Sequence, residues 1–170
     1  ATLLGRLSSR RQREREGLVL VEGLRAVREA LDAGARVRFA VLHRGLLERP
    51  EGHALEERMR GEGIDVDVVE QDAFDAVSAT ESPQGALLVC EQEEAELEEV
   101  TSADGPILVL DALQDPGNVG TLVRSAIAFG FAGVIALDGT ADPWGAKVVR
   151  SSAGAVLRAR IARASVEDAV

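Results

Sequence analysis

The segment DPGNVGTLVRSAIAFGF, residues 115–131, sets Asn118 and Arg124 six residues apart within a helical apolar pattern. Val119, Leu122, Val123, Ala126 and Ile127 recur as one face of a helix over 119–129, and Thr121 and Arg124 fall off that face. Asn118 stands where the helix starts, and its carboxamide oxygen can accept a backbone N–H of the first turn, so simple capping is one reading. Arg124 lies about one and a half turns further on, yet helical side chains lean toward the N-terminus, so its guanidinium can reach back toward Asn118. The run ILVLDAL (107–113) reads as a buried strand and GVIAL (133–137) as the next parallel strand. That places Asn118 at the carboxyl end of a parallel strand, where open α/β sheets hold their ligands. Neither GxxxxGK[ST] nor GxGxxG is present, which removes the triphosphate-loop and dinucleotide readings. An amide with a back-reaching guanidinium suits a polar substrate that carries phosphate.

The elements that must position these two residues form the second of two α/β units. After GVIAL, Asp142 is expected as an N-cap with Pro143 at the first helical position. That helix should end at Gly154, and AVLRARIA (155–162) should alternate as a strand. Lys147 and Arg150, three apart on this helix, could hold phosphate or be solvated surface charges. Trp144 reads as a packing anchor, with base stacking as the alternative.

Upstream, LVLVE (18–22), VRFAVLH (37–43), IDVDVVE (64–70) and ALLVC (86–90) are strand candidates. Helical patterns separate them: from Leu24 to a stop at Gly34, over 53–63, and a short one over 72–78, with the turn TESPQG (80–85) before the last strand. This alternation predicts a small three-layer α/β domain over about 17–90. The acid-rich EQEEAELEEV (91–100) and the turn-rich TSADGP that follows read as a linker with a helical turn, or as an acidic lure for a basic partner. The expected layout is therefore 1–90, a linker over 91–105, and a second unit from Pro106 to Val170.

Charge is segregated along the chain. The net charge is −10, yet residues 1–50 carry 11 Arg against 6 acids, whereas residues 51–105 carry 2 Arg against 17 acids. The basic start, with Arg10, Arg11 and Arg13 among its arginines, keeps nucleic acid open as a partner, since Arg clusters suit phosphate. Its other reading is a frayed, solvated helix. His43 and His53 lack Cys or His partners at ligand spacing, so both are expected at the surface and no metal is expected. No run of 18 apolar residues suggests a spanning helix, and the N-terminus does not read as a signal peptide. Cys90, the one cysteine, fits a reducing cytoplasm and reads as a small buried hydrophobe.

The 115–131 segment closely resembles the first motif of the SpoU (TrmH-like) group of SPOUT RNA methyltransferases, whose NxGxxxR signature matches Asn118, Gly120 and Arg124. KVVRSSAGAVLRARI (147–161) is similar to the segment that follows in that family, with Arg150, Ser152 and Gly154 at matching positions. LVLVEGLRAVREAL and SATESPQGALLV resemble its L30e-like substrate-binding domain. The resemblance implies an L30e-like three-layer α/β domain followed by an incomplete SPOUT-type, trefoil-knot parallel-sheet domain. It implies a homodimer that moves a methyl group from S-adenosylmethionine to a ribose 2′-hydroxyl of RNA, rRNA before tRNA. In its terms Arg124 and Asn118 are the catalytic pair, and Arg10, Arg11, Arg13, Lys147, Arg150 and Ser152 contact RNA. Arginine holds its proton to a pKa above about 12, which favours an electrostatic and orienting role for Arg124 over that of a base. The family's knot-forming segments, which carry most cofactor contacts, are expected after Val170. Two other readings remain at this stage: an inactive RNA-binding module of the same ancestry, and a flavodoxin-like phosphoryl-binding domain with no RNA role.

Overall fold

A computed structural model describes residues 3–80 and 82–169; Glu81 of the expected 80–85 turn and the terminal Val170 lie outside the described residues. The chain divides into two compact units, residues 1–92 and 93–170.

The first unit runs α1 (Leu3–Arg6), α2 (Arg10–Glu16), β1 (Leu18–Glu22), α3 (Leu24–Asp32), β2 (Val37–His43), α4 (Arg44–Leu47), α5 (Pro50–Gly61), β3 (Val66–Val69), α6 (Gln71–Asp75) and β4 (Ala86–Glu91). Its sheet order is β1-β4-β2-β3. Strands β2 and β3 are parallel, while β4 runs antiparallel to both β1 and β2. Strand β4 is central because ALLVC is apolar at every position, and all five residues are buried. Leu20, Val41, Leu87 and Val89 share one face with Leu7 of the N-terminal arm and Phe74 of α6. The alternate residues Val21, Ala40, Leu42 and Leu88 point to the other face. There α3 packs on β1 and β4, burying Val27 and Ala30. Helix α5 starts three residues before the expected position, with Pro50 in its first turn, and α4 was not anticipated.

Two sequence segments meet at the carboxyl end of β1. Glu22 is buried, and its carboxylate accepts from Ser78 Oγ (2.5 Å), Thr80 Oγ1 (2.7 Å) and the Ala79 N–H (2.8 Å). Gly23 adopts φ +101°, and a Cβ there would lie 3.1 Å from Gln84 Oε1, which accepts the Leu24 N–H at 2.9 Å. The EG pair and the SATESPQG segment are thus two halves of one hydrogen-bonded corner.

The second unit contains α7 (Leu97–Thr101), β5 (Ile107–Leu110), α8 (Pro116–Ala128), β6 (Gly133–Leu137), α9 (Ala146–Ser151), a 3-10 turn over Ala155–Leu157, and β7 (Ile161–Ala164). Its three strands are parallel in the order β5-β6-β7. From residue 93 on, the acidic stretch expected as a linker is part of this unit. Glu96 and Glu99 form a reciprocal capping box on α7, and Val100 is fully buried with Ile135, Leu137 and Ala162. Two of the local acids cap this short helix, the helical turn expected within the charge run.

Three further expectations are corrected. Asp142 does not cap α9; its Oδ1 accepts from the Trp144 N–H at 3.2 Å in a turn, and Gly145 precedes the helix. Pro143 lies before the helix rather than in its first turn. Ala155–Leu157 forms a 3-10 turn, so the last strand begins at Ile161. The turn follows from Ala153 (φ +54°) and Gly154 (φ +87°), both left-handed.

Candidate active site

Helix α8 begins at the carboxyl end of β5, with Asp115 as its cap and Pro116 in its first turn. Asp115 Oδ1 accepts the Asn118 N–H at 2.7 Å. Asn118 is therefore not the N-cap but sits in the first turn, held by its backbone while its side chain is exposed. An Asp-Pro pair outcompetes an asparagine three residues later, because the carboxylate favours the helix N-terminus and proline's fixed φ starts the helix. The carboxamide is thereby released from capping duty.

Arg124 is exposed on the same helix. Six residues correspond to about 600° of rotation, so the two Cβ vectors diverge by about 120° and lie ~9 Å apart along the axis. Asn118 and Arg124 share no hydrogen bond with one another among the described residues. Only the first stage of the expected convergence is in place: one helix, one mouth, two exposed polar groups.

Gly120, between them, brings two helices together. A Cβ there would fall 1.9 Å from Ser151 Oγ and 2.7 Å from both the Ser152 nitrogen and the Val148 carbonyl oxygen. Ser151 Oγ crosses the gap to donate to the Pro116 carbonyl at 3.0 Å. This contact fixes α9 against the first turn of α8 and presents Lys147 and Arg150, both exposed, on the adjoining helix. The buried face of α8 is Val119, Gly120, Val123 and Ala126; Leu122, assigned to that face from periodicity, is 39% exposed.

The loops after β5 and β6 brace one another at this mouth. Ala112 holds φ +48°, and a Cβ on Gly139 would lie 3.3 Å from that of Ala112. Thr140 Oγ1 donates to the Leu110 carbonyl (2.9 Å) and the Ala141 N–H to the Leu113 carbonyl (2.8 Å). Left-handed alanine is strained, and such strain concentrates in loops that carry function. Trp144 is 1% exposed beneath Arg163, whose guanidinium lies 5.3 Å from the ring centroid and is bound by Glu94. The indole is a packing anchor, and base stacking by it is ruled out.

Two residues expected at RNA are structural. Ser152 is 1% exposed and its hydroxyl donates to the Val149 carbonyl at 2.9 Å. Arg13 is 4% exposed and its Nη1 donates to the carbonyls of Leu7 (2.8 Å) and Ser8 (3.0 Å). The arginine ties down the turn between α1 and α2, which a run of similar arginines conceals in the sequence. Arg10 is exposed and paired with Glu14 at 2.8 Å, and Arg11 is exposed. His53 is exposed near Glu57, whereas His43, expected at the surface, is half-buried beside Phe74. Burial pushes the Cys90 thiol up to about 12. Among the described residues, no three His, Cys, Asp or Glu side chains gather as a metal site. Among the described residues, no helix is long and apolar enough to cross a membrane.

A mixed-sheet unit followed by a parallel-sheet unit, with the polar motif at the mouth of the latter, defines a two-part α/β protein with a candidate site at the carboxyl ends of its parallel strands. Residues 3–88 match the MRM3-like substrate binding domain and residues 105–170 match the SpoU rRNA Methylase family. The chain belongs to the SpoU family of RNA methyltransferases. It is 33% identical over 165 residues to the Bacillus subtilis 23S rRNA (guanosine(2553)-2′-O)-methyltransferase RlmP, covering 97% of this chain and 62% of that protein. To the human mitochondrial rRNA methyltransferase 3 it is 31% identical over 159 residues, 89% of this chain and 36% of the relative. The crystal structure of an AdoMet-bound rRNA methyltransferase from Sinorhizobium meliloti superposes with a TM-score of 0.81 at 28% identity, covering 98% of this chain and 61% of that one. The chain thus spans less than two thirds of these relatives.

Proposed function

We propose that this chain comprises the RNA-recognition unit and the first part of the catalytic unit of an S-adenosylmethionine-dependent RNA ribose 2′-O-methyltransferase, with ribosomal RNA the favoured substrate over transfer RNA. The observation that carries this is the release of Asn118 from capping, which leaves an exposed amide and the exposed Arg124 guanidinium on one helix at the carboxyl end of β5. The RlmP relative is named for the same reaction on 23S rRNA.

A 2′-hydroxyl becomes a nucleophile as its O–H bond weakens and negative charge gathers on oxygen. Arg124 supplies a fixed positive charge for that oxygen or for the neighbouring phosphate, and it orients the ribose without giving up its proton. Asn118 offers both a donor and an acceptor to the sugar hydroxyls. Lys147 and Arg150, three apart on α9, hold phosphates on either side; Arg10 and Arg11 add contacts from the first unit. Bound S-adenosylmethionine would supply an electrophilic methyl on a sulfonium. The exposed polar groups of this mouth, Asn118 and the cationic Arg124, match ribose and phosphate rather than a sulfonium, which is itself positively charged. We assign the cofactor contacts to the family's knot-forming segments rather than to this mouth.

A homodimer through the second unit and a cytoplasmic place of action belong to the same reading. Leu122 and Phe129, 39% and 80% exposed, lie seven residues apart on one face around the C-terminal half of α8, which supports a face covered by a second copy.

The test is transfer of labelled methyl from S-adenosylmethionine to total RNA by the protein carrying whatever sequence follows Val170, with the modified nucleotide mapped. A 2′-O-methyl ribose supports the reading. RNA binding without transfer would make the protein a binding module, and methylation on a base would sink the 2′-hydroxyl chemistry.

A further inference from the structure

The first unit holds a cavity of about 250 Å³ at the carboxyl end of β2, lined by His43, Leu46, Arg49, Phe74, Pro83 and Gln84. We infer that this cavity takes one unpaired nucleotide of RNA, its base inside and its phosphate on Arg49. The inference rests on the RNA-directed reading above and concerns a site separate from Asn118 and Arg124.

The walls are built for a flat polar ring. A Cβ on Gly85 would lie 3.2 Å from the Cβ of His43 and 3.3 Å from that of Leu46, so the loop backbone closes directly on those side chains. At Gly45 a Cβ would lie 2.6 Å from His43 Cε1, so the imidazole lies across the α4 backbone. Its ring stands 6.4 Å from that of the fully buried Phe74 at 60°, so the half-buried imidazole is the ring that faces the cavity, beside an apolar floor. Gln84 Oε1 is committed to the Leu24 N–H, which orients the amide and leaves its two N–H donors without a partner among the described residues. On the rim, Gln71 donates to Asp75 at 2.7 Å, which leaves its carbonyl oxygen to accept. Donor, acceptor and aromatic face are what an RNA-binding protein needs to read a splayed-out base.

The charges at the rim agree. Arg44 is bound to Glu70 and Asp75 accepts from Gln71, while Arg49 on the rim is exposed with no ion-pair partner among the described residues. A guanidinium next to a base-sized cavity matches the one phosphate each nucleotide brings. The volume lies below the ~300–1,000 Å³ of sites for drug-sized ligands, room for one base rather than for a paired or stacked set. Glu22 holds the loop in place from behind through Ser78, Ala79 and Thr80.

The test uses the isotopically labelled chain with a mixed-sequence single-stranded RNA decamer, the duplex of the same sequence, and inorganic phosphate. The single strand should shift the His43 ring and Gln84 side-chain amide resonances, and the duplex and phosphate should not. Arg49→Ala and His43→Ala should each weaken single-strand binding about tenfold, and Arg49→Ala should leave the melting temperature unchanged. Unaltered affinity in both variants, with no shift at His43 or Gln84, overturns the cavity assignment while RNA recognition stands. Equal shifts with phosphate or duplex overturn it as well. No binding of either RNA overturns both this inference and the reading on which it rests.

Discussion

Ser151 reaches across Gly120 to bond the Pro116 carbonyl, so the hydroxyl occupies the space that any side chain at position 120 would need. Gly120→Ala should destabilise the second unit by about 2–3 kcal/mol through overpacking. Removing the hydroxyl as well should not restore stability, because the Ser152 nitrogen and Val148 carbonyl still stand 2.7 Å from the new methyl. Denaturant unfolding of the single and double variants checks this. Recovery in Gly120→Ala/Ser151→Ala would show that the serine alone sets the spacing.

Arg11 and Arg13 are two positions apart and should behave oppositely. Arg13→Ala strips the Leu7 and Ser8 carbonyls of their donor inside a buried turn and should cost about 2 kcal/mol. Arg11→Ala removes an exposed charge, leaves the melting temperature within about 2–4 °C, since exposed substitutions stay within ~0.5 kcal/mol, and lowers RNA affinity with a shallower salt slope. Melting curves and a salt series of RNA titrations separate the two.

Glu22 organises the corner on which the 78–85 loop rests. Glu22→Ala leaves two hydroxyls and the Ala79 N–H without their acceptor, which should cost roughly 3 kcal/mol and expose that amide to solvent. Hydrogen exchange at Ala79 should quicken well beyond the exchange of β4 amides. Uniform quickening across the first unit would mean that the corner unfolds only with the whole.

Much of this architecture is legible in the sequence because period and punctuation agree. VRFAVLH is a strand over its whole expected length, and Gly34 takes the left-handed conformation expected of a stop two residues after α3. Strand direction is another matter. Helix–strand alternation does not encode that β4 runs against β2, since the same apolar run serves a parallel or antiparallel centre. The start of α8 misleads because two good caps, Asp115 and Asn118, stand three residues apart, and only the Asp-Pro geometry decides between them. Ser152 and Arg13 look like surface polar residues; both are buried because each satisfies backbone carbonyls, a property of tertiary position that residue type does not carry. Gly120, by contrast, follows the family motif, and its reason appears only when α9 is laid against it.

Cys90 should be inert in the folded chain. With its pKa raised by burial from 9.0 to about 12, the thiol stays protonated at pH 8 and out of reach of thiol reagents. The linkage sign follows: above about pH 9 the unfolded chain loses this proton first, so the contribution to stability, complete below pH 9, is lost as pH rises toward 12. Modification by a colorimetric disulfide reagent at pH 8 should track global unfolding in urea. Rapid labelling in buffer would show that the β4 centre opens locally.

Substitution of Arg124 should separate catalysis from affinity. If its charge acts on the 2′-oxygen as charge develops there, Arg124→Ala should cut methyl-transfer turnover by about 100-fold or more, as loss of a preorganised electrostatic group does, while RNA affinity drops only about twofold to fivefold, as for one phosphate contact. Arg124→Lys keeps the charge but loses the planar fork, so it should recover part of the turnover and most of the affinity. Asn118→Ala should resemble the arginine variant in direction with a smaller loss in turnover, and it should not lower stability, because Asp115 caps the helix and the Asn118 side chain does not. Single-turnover transfer rates and RNA titrations on the protein with its full C-terminal sequence give both numbers. Equal losses of turnover and affinity in Arg124→Ala would assign the residue to RNA binding alone, and a stability loss in Asn118→Ala would return that asparagine to a structural role.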